Sequence, residues 1–151
     1  MTQLFTKLNF KNYKSILALN APVYFALELK SMEVEANILV AADKINSTEF
    51  AIVFVTKLPE IEETIKAIYK KLEGDAILWY CYPKASSKRY KCDFNRDSGW
   101  QALGAYNLEP VRQVAIDEDW SALRFRKVEF IKTMTRSFAI SEKGKSKAGK
   151  V

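Results

Sequence analysis

A chain of 151 residues, 48% apolar and 28% charged, has the size and make-up of one soluble globular domain, large enough to bury a core without staples. It contains no histidine, which excludes Ser-His-Asp and Cys-His triads, and its two cysteines cannot complete a tetrahedral zinc site from nitrogen and sulfur ligands alone. Four lysines and no acid occupy residues 143–151 (KGKSKAGKV), so of a net charge of +6 only +2 falls on residues 1–142. We therefore expect a single α/β domain over residues 1–142 and a basic, disordered tail over 143–151, because lysine and small residues without apolar periodicity cannot bury a face. No apolar run approaches the roughly 20 residues of a bilayer span. The start, MTQLFTKLNFKNYK, lacks the apolar core of a signal peptide. These features predict a cytoplasmic location with no membrane partner, and reduced thiols at Cys81 and Cys92.

In chain order, Leu4, Phe5 and Leu8 predict a short helix ending near Asn9. SILAL at residues 15–19 is an apolar run that stops at Asn20-Ala21-Pro22, and Pro22 suits the first turn of a helix continuing from Val23 to Met32. Weak alternation predicts a strand over residues 34–41, a polar loop follows over 43–49, and FAIVFV at 50–55 reads as a buried strand. The clearest helix runs from Pro59 to Leu72, with Ile61, Ile65, Ile68 and Leu72 on one stripe. Its acids lead, its lysines trail, and Gly74 is placed to act as a C-cap. The unbroken apolar run at 75–82, DAILWYCY, predicts a central strand buried on both faces and stopped by Pro83. Ser98 and Gln101 have the spacing of a capping box for a helix that carries Trp100, Leu103 and Leu108 inward and ends before Pro110. Residues 111–130, VRQVAIDEDWSALRFRKVEF, read as two strands joined by an acidic turn, with Leu123 and Phe125 on one face and Arg124 and Arg126 on the other. The order implies a three-layer α/β sandwich, its mostly parallel sheet ending in an antiparallel hairpin at one edge.

Three blocks carry a resemblance: ILALNAP at 16–22, AILWYCYPKAS at 76–86 and AIDEDWSALR at 115–124. They resemble a family of small bacterial proteins known as a domain of unknown function. The overall pattern is similar to the Rossmann-like fold of S-adenosylmethionine-dependent methyltransferases. The similarity runs in order through most of residues 1–130. It implies the fold, and S-adenosylmethionine as the cofactor such folds take; it carries no reaction. Against that cofactor stands the turn LALNAPVYF, which has no glycine to let backbone amides approach a ligand, and whose Pro22 removes a donor. Asp43 lies near the position where a ribose-binding acid is expected. No cofactor is therefore assigned.

Candidate chemistry concentrates in loops. Asp117, Glu118 and Asp119 have the composition of a cation or acid–base site, but in a hairpin they read better as turn formers. Trp120 beside them reads as a core aromatic or a stacking surface. Lys84, Ser86, Ser87 and Lys88 follow the central strand at its carboxyl end, the side on which open α/β sheets bind ligands. With Asn20, Pro22, Asp119 and Trp120 they form the predicted site for a small anionic ligand or a protein partner, on a non-catalytic domain. The alternatives are a methyltransferase, or a nucleic-acid-binding module using the basic run over residues 84–91 and the tail.

Overall fold

The computed structural model describes residues 1–95 and 98–131. The tail expected over residues 143–151 lies outside them. Six strands, β1 (Ser15–Leu19), β2 (Asn37–Leu39), β3 (Thr48–Phe54), β4 (Leu72–Pro83), β5 (Leu108–Ala115) and β6 (Trp120–Lys127), form one sheet in the order β2-β1-β3-β4-β6-β5. β1 pairs in parallel with β2 and β3, and β3 with β4. β6 is antiparallel to both β4 and β5, so it is the reversed strand, inserted between the parallel core and the edge strand β5. The hairpin predicted at one edge is thus present.

Period-two alternation on the central strands builds two cores. Leu78, Tyr80 and Tyr82 of β4 face the same way as Leu123 and Phe125 of β6, and α3 (Leu58–Ile68) packs its Ile61, Ile65 and Ile68 stripe on them, with α4 (Gln101–Gly104) alongside. On the other face Ile77, Trp79 and Cys81 meet Phe5 and Leu8 from α1 (Gln3–Lys7) and the segment's end, and Phe25, Leu29 and Met32 around α2 (Ala26–Ser31). Two of the large polar aromatics on β4 have partners. Trp79 Nε1 donates to the Leu8 carbonyl at 2.8 Å, and the Tyr80 hydroxyl lies 2.7 Å from Thr64 Oγ1. Among the described residues no helix is long and apolar enough to cross a membrane.

Several boundaries differ from those predicted. β2 spans three residues, because Val34, in a turn, and Val40, just past the strand, are 87% and 66% exposed. α3 tightens into a 3₁₀ turn, Tyr69–Lys71, and Leu72 already begins β4. Gly74 does take φ +56°, but inside β4, where the register with β3 shifts between Thr48 and Phe50, so it serves a strand irregularity and not a helix cap. The capping box does not form. Trp100 is the N-cap of α4, and Ser98 Oγ instead accepts the Asn95 amide at 3.4 Å. α4 ends at Gly104, the chain turns at Asn107 (φ 59°), and Leu108 and Pro110 belong to β5. An edge strand tolerates the missing N–H of Pro110.

Candidate ligand site

Chain direction over the sheet changes at β1: its successor β2 lies on one side and β3 on the other. Loops leaving the carboxyl ends of β1 and β3 therefore diverge, and a crevice opens at that switch point. It encloses about 660 Å³, within the usual range of ligand pockets. Asn20, Pro22, Val23 and Tyr24 line it from the loop after β1, and Phe54, Thr56 and Glu60 from the end of β3 and the start of α3. Arg89 and Tyr90 come from the loop after β4, and Trp120 from the first position of the reversed strand, which begins at this same end. Phe54 and Trp120 are almost fully buried and meet edge to face at 5.1 Å, while Tyr90 packs on Trp120 at 5.0 Å.

A second crevice of about 710 Å³ adjoins the first and has a different character. Lys84, Ser87, Lys91 and Gln113 line it together with Tyr82 and Phe94. Tyr90 lines both crevices, so the segment 84–91 forms the wall between them. The residues predicted to make one site are accordingly divided. Asn20, Pro22 and Trp120 border the aromatic crevice, and Lys84 and Ser87 the lysine-bearing one. Ser86 and Lys88 are exposed and line neither. Asp119 also lines neither; its carboxylate accepts from Ser87 Oγ at 2.8 Å and its carbonyl from the Lys84 amide at 2.8 Å, which fastens the loop after β4 to the hairpin. Sequence reasoning missed Tyr24, Thr56 and Glu60 as lining residues. Arg89 belonged to the loop after the central strand whose cations could receive an anion, and Lys91 only to the basic run.

The carboxylates around the aromatic crevice are occupied. Glu60 Oε1 accepts from the Thr56 amide at 2.8 Å, the Thr56 hydroxyl at 3.2 Å and the Lys57 amide at 2.9 Å, holding the entry to α3. Asp117 Oδ1 accepts from the amides of Asp119 and Trp120 at 2.8 and 2.9 Å, and Oδ2 from the Tyr24 hydroxyl at 2.5 Å. The acidic stretch therefore closes its own turn and ties it to the loop after β1. Partial burial first, and the bond to Asp117 second, hold the Tyr24 phenol far above its ordinary range. Burial likewise pushes up both thiols, Cys81 strongly with a contribution from Asp117, and Cys92 against an opposing bond from the Phe94 backbone. Both cysteines are free, and neither thiol is activated. No cluster of three or more metal-ligating side chains occurs among the described residues. Trp120 carries an indole Nε1 that is buried without an acceptor.

No family model matches the sequence, and no curated protein matches it. The fold has solved counterparts. A SAM-dependent methyltransferase from Aquifex aeolicus aligns over 83% of this chain and 88% of its own, at 8% identity and a TM-score of 0.59. The N-methyltransferase NodS from Bradyrhizobium japonicum, in complex with S-adenosyl-L-homocysteine, aligns over 83% and 84% at 12% identity and 0.52. The (4+2)-cyclase SpnF aligns over 82% and 78% at 11% identity and 0.51. These likenesses establish a methyltransferase-like, Rossmann-like α/β fold. Because a cyclase shares it, the fold fixes no reaction.

The turn after β1 decides whether these residues fit S-adenosylmethionine. Asn20 supplies the left-handed conformation with φ 58° and lines the crevice. Pro22 offers no N–H, and the 3₁₀ turn Val23–Phe25 that follows has no side-chain cap. Asp43 sits in another 3₁₀ turn, Ala42–Lys44, and does not line the crevice. Neither the close backbone approach nor the ribose acid is supplied, so the cradle does not fit the cofactor in the manner of a glycine-rich turn.

Proposed function

We propose that this domain is a non-catalytic binding module for a small anionic molecule with a planar part, seated in the crevice at the switch point between β1 and β3. One observation carries the reading: aromatic walls and a single cation line a crevice whose carboxylates are all engaged in holding loops. Tyr24 and Tyr90, both partly exposed, offer surface for a planar group over the buried Trp120, and Arg89 offers a forked donor for its charge. Glu60 and Asp117 already accept the hydrogen bonds of neighbouring loops, so neither is free to work as a general base without releasing the structure it holds. The absence of histidine from the chain agrees with this.

Isothermal calorimetry with AMP, S-adenosylmethionine and single-stranded oligonucleotides tests the reading. AMP is expected to bind saturably, with affinity falling about tenfold in Arg89→Gln, equivalent to ~1.4 kcal/mol. Micromolar S-adenosylmethionine binding, unaccompanied by AMP binding, would replace this reading with methyl transfer, the second reading that the likeness in fold favours. Oligonucleotide binding that weakens steeply with salt would instead point to the basic run at Lys84, Lys88, Arg89 and Lys91.

A further inference from the structure

Outside the crevice, β5 and β6 set two arginines in direct register: Arg112 is the cross-strand partner of Arg124. Residues directly opposed on an antiparallel pair project to the same face about 5 Å apart, and like charges so placed destabilise the sheet. Arg126 lies two residues further along that face. Its charge is met by Asp75, whose carboxylate accepts from Nε at 2.9 Å and from Nη2 at 2.6 Å. Neither of the other two is within ion-pair distance of a carboxylate among the described residues. Arg112 donates from Nη1 to the uncharged Asn9 Oδ1 at 2.9 Å, and Arg124 has no carboxylate partner among the described residues. Arg124 Nε is buried with no acceptor at all. Trp79 of β4 pairs with Arg124 on its other side, so the strand register offers it no anion there either. Burial first, and then the neighbouring Arg126, pull the Arg124 guanidinium below its ordinary value, against a smaller opposing pull from the Asp75 carboxylate.

A sheet that aligns two like charges and leaves one of their donors unmet is locally frustrated, and such departures from local consistency concentrate at functional positions. We propose that Arg112 and Arg124 form a binding site for a phosphoryl group, whose dianion answers both charges and whose oxygens accept from the ends of the two guanidinium forks. Paired planar forks recognise phosphate bidentately, and a monoanionic carboxylate would neutralise only one of them. The site is distinct from the crevice: Arg124 lies four residues along β6 from Trp120, roughly 13 Å at ~3.3 Å per residue. It does not depend on the function proposed above.

The test is a titration of the ¹⁵N-labelled chain with inorganic phosphate and with methyl phosphate, following the arginine Nε–H resonances at constant ionic strength. Saturable shifts at Arg112 and Arg124 are expected, with little movement at Arg126. They should be lost in Arg124→Met, which keeps the stem and removes the fork, and weakened several-fold in Arg112→Gln. Tighter binding of the ester than of free phosphate would identify an organic phosphate as the source, and equal binding the inorganic anion. Shifts that sodium chloride reproduces, or that persist in both variants, would overturn the site.

Discussion

Asp117 shows how much one side chain does at the mouth of the crevice. Two oxygens accept three hydrogen bonds, two from its own turn and one from Tyr24 on the loop after β1. Hydrogen bonds to a charged acceptor are worth more than neutral ones, and removal strands two amides and a phenol together. Asp117→Ala is expected to lower stability by about 2 kcal/mol in urea denaturation, while Glu118→Ala, at an exposed position of the same turn, should stay within ~0.5 kcal/mol. Equal losses in the two variants would show that the turn owes nothing to Asp117. Gly99 presents a steric case. Its φ is +90°, and a Cβ there would stand 2.7 Å from Leu58 Cδ2 and 2.8 Å from Phe94 Cβ. Leu58 has room to swing away because it is partly exposed, but the Phe94 Cβ is fixed by its backbone. Gly99→Ala is therefore expected to cost roughly 2–4 kcal/mol, strain and overlap combined, read as a lowered urea midpoint with unchanged slope.

At the scale of elements, what was legible in the sequence depended on whether a segment's own composition settles its environment. The apolar runs at 16–19 of β1, 50–54 of β3 and 76–82 of β4 have only one stable place, between two layers. α3 announces itself by its isoleucine stripe. Residues 34–41 mislead because Val34 and Val40 alternate like a strand while facing solvent, and nothing local distinguishes an exposed valine from a buried one. Ser98 has capping-box spacing but spends its hydroxyl on Asn95, a choice made by the packing of Trp100 among Tyr82, Phe94 and Phe125. The loops after Leu19 and Pro83 could be picked as ligand-facing because topology alone puts strand ends there. Their division into two crevices could not, since it rests on where Tyr90 lands. Arg112 opposing Arg124 was equally hidden, because it follows a register shift between Pro110 and Arg112 that leaves Val111 over. The start of α3 yields a test at this scale. Its leading acids invite a macrodipole explanation, which would make them interchangeable, but Glu60 alone reaches back to Thr56 and Lys57. Glu60→Ala should cost about 1–2 kcal/mol, and Glu62→Ala and Glu63→Ala no more than ~0.5 kcal/mol each. Equal effects in thermal unfolding would return the dipole as the cause.

For the molecule as a whole, its interior sets a limit on the alkaline side. Tyr80 is fully buried between the sheet and α3, its hydroxyl on Thr64 and its ring edge-on to Phe125 at 6.0 Å. Burial raises its phenol far above the ordinary 10.0, against a smaller opposing effect of the Thr64 bond. Tyr24, Cys81 and Cys92 are shifted in the same direction, mainly by burial. Each group keeps its proton in the folded state at a pH where the unfolded chain has released it. The folded state then binds more protons, and stability must fall as pH rises. Loss begins as pH passes the ordinary thiol value of 9.0 and steepens beyond the phenol value of 10.0. Well above its unfolded value, one fully retained proton contributes a slope of about 1.4 kcal/mol per pH unit. Urea denaturation in steps from about pH 8 to about pH 11 should show stability that declines with increasing slope. Tyr80→Phe separates the contribution of the core phenol from those of Tyr24 and the two thiols. Thr64 retains carbonyl partners at Glu60 and Ile61, so the variant should lose only about 1 kcal/mol near neutrality. Its stability should then cross that of the parent above pH 10, because it no longer has a buried phenol to protect from ionisation; parallel curves would mean that the phenol ionises without leaving the folded state.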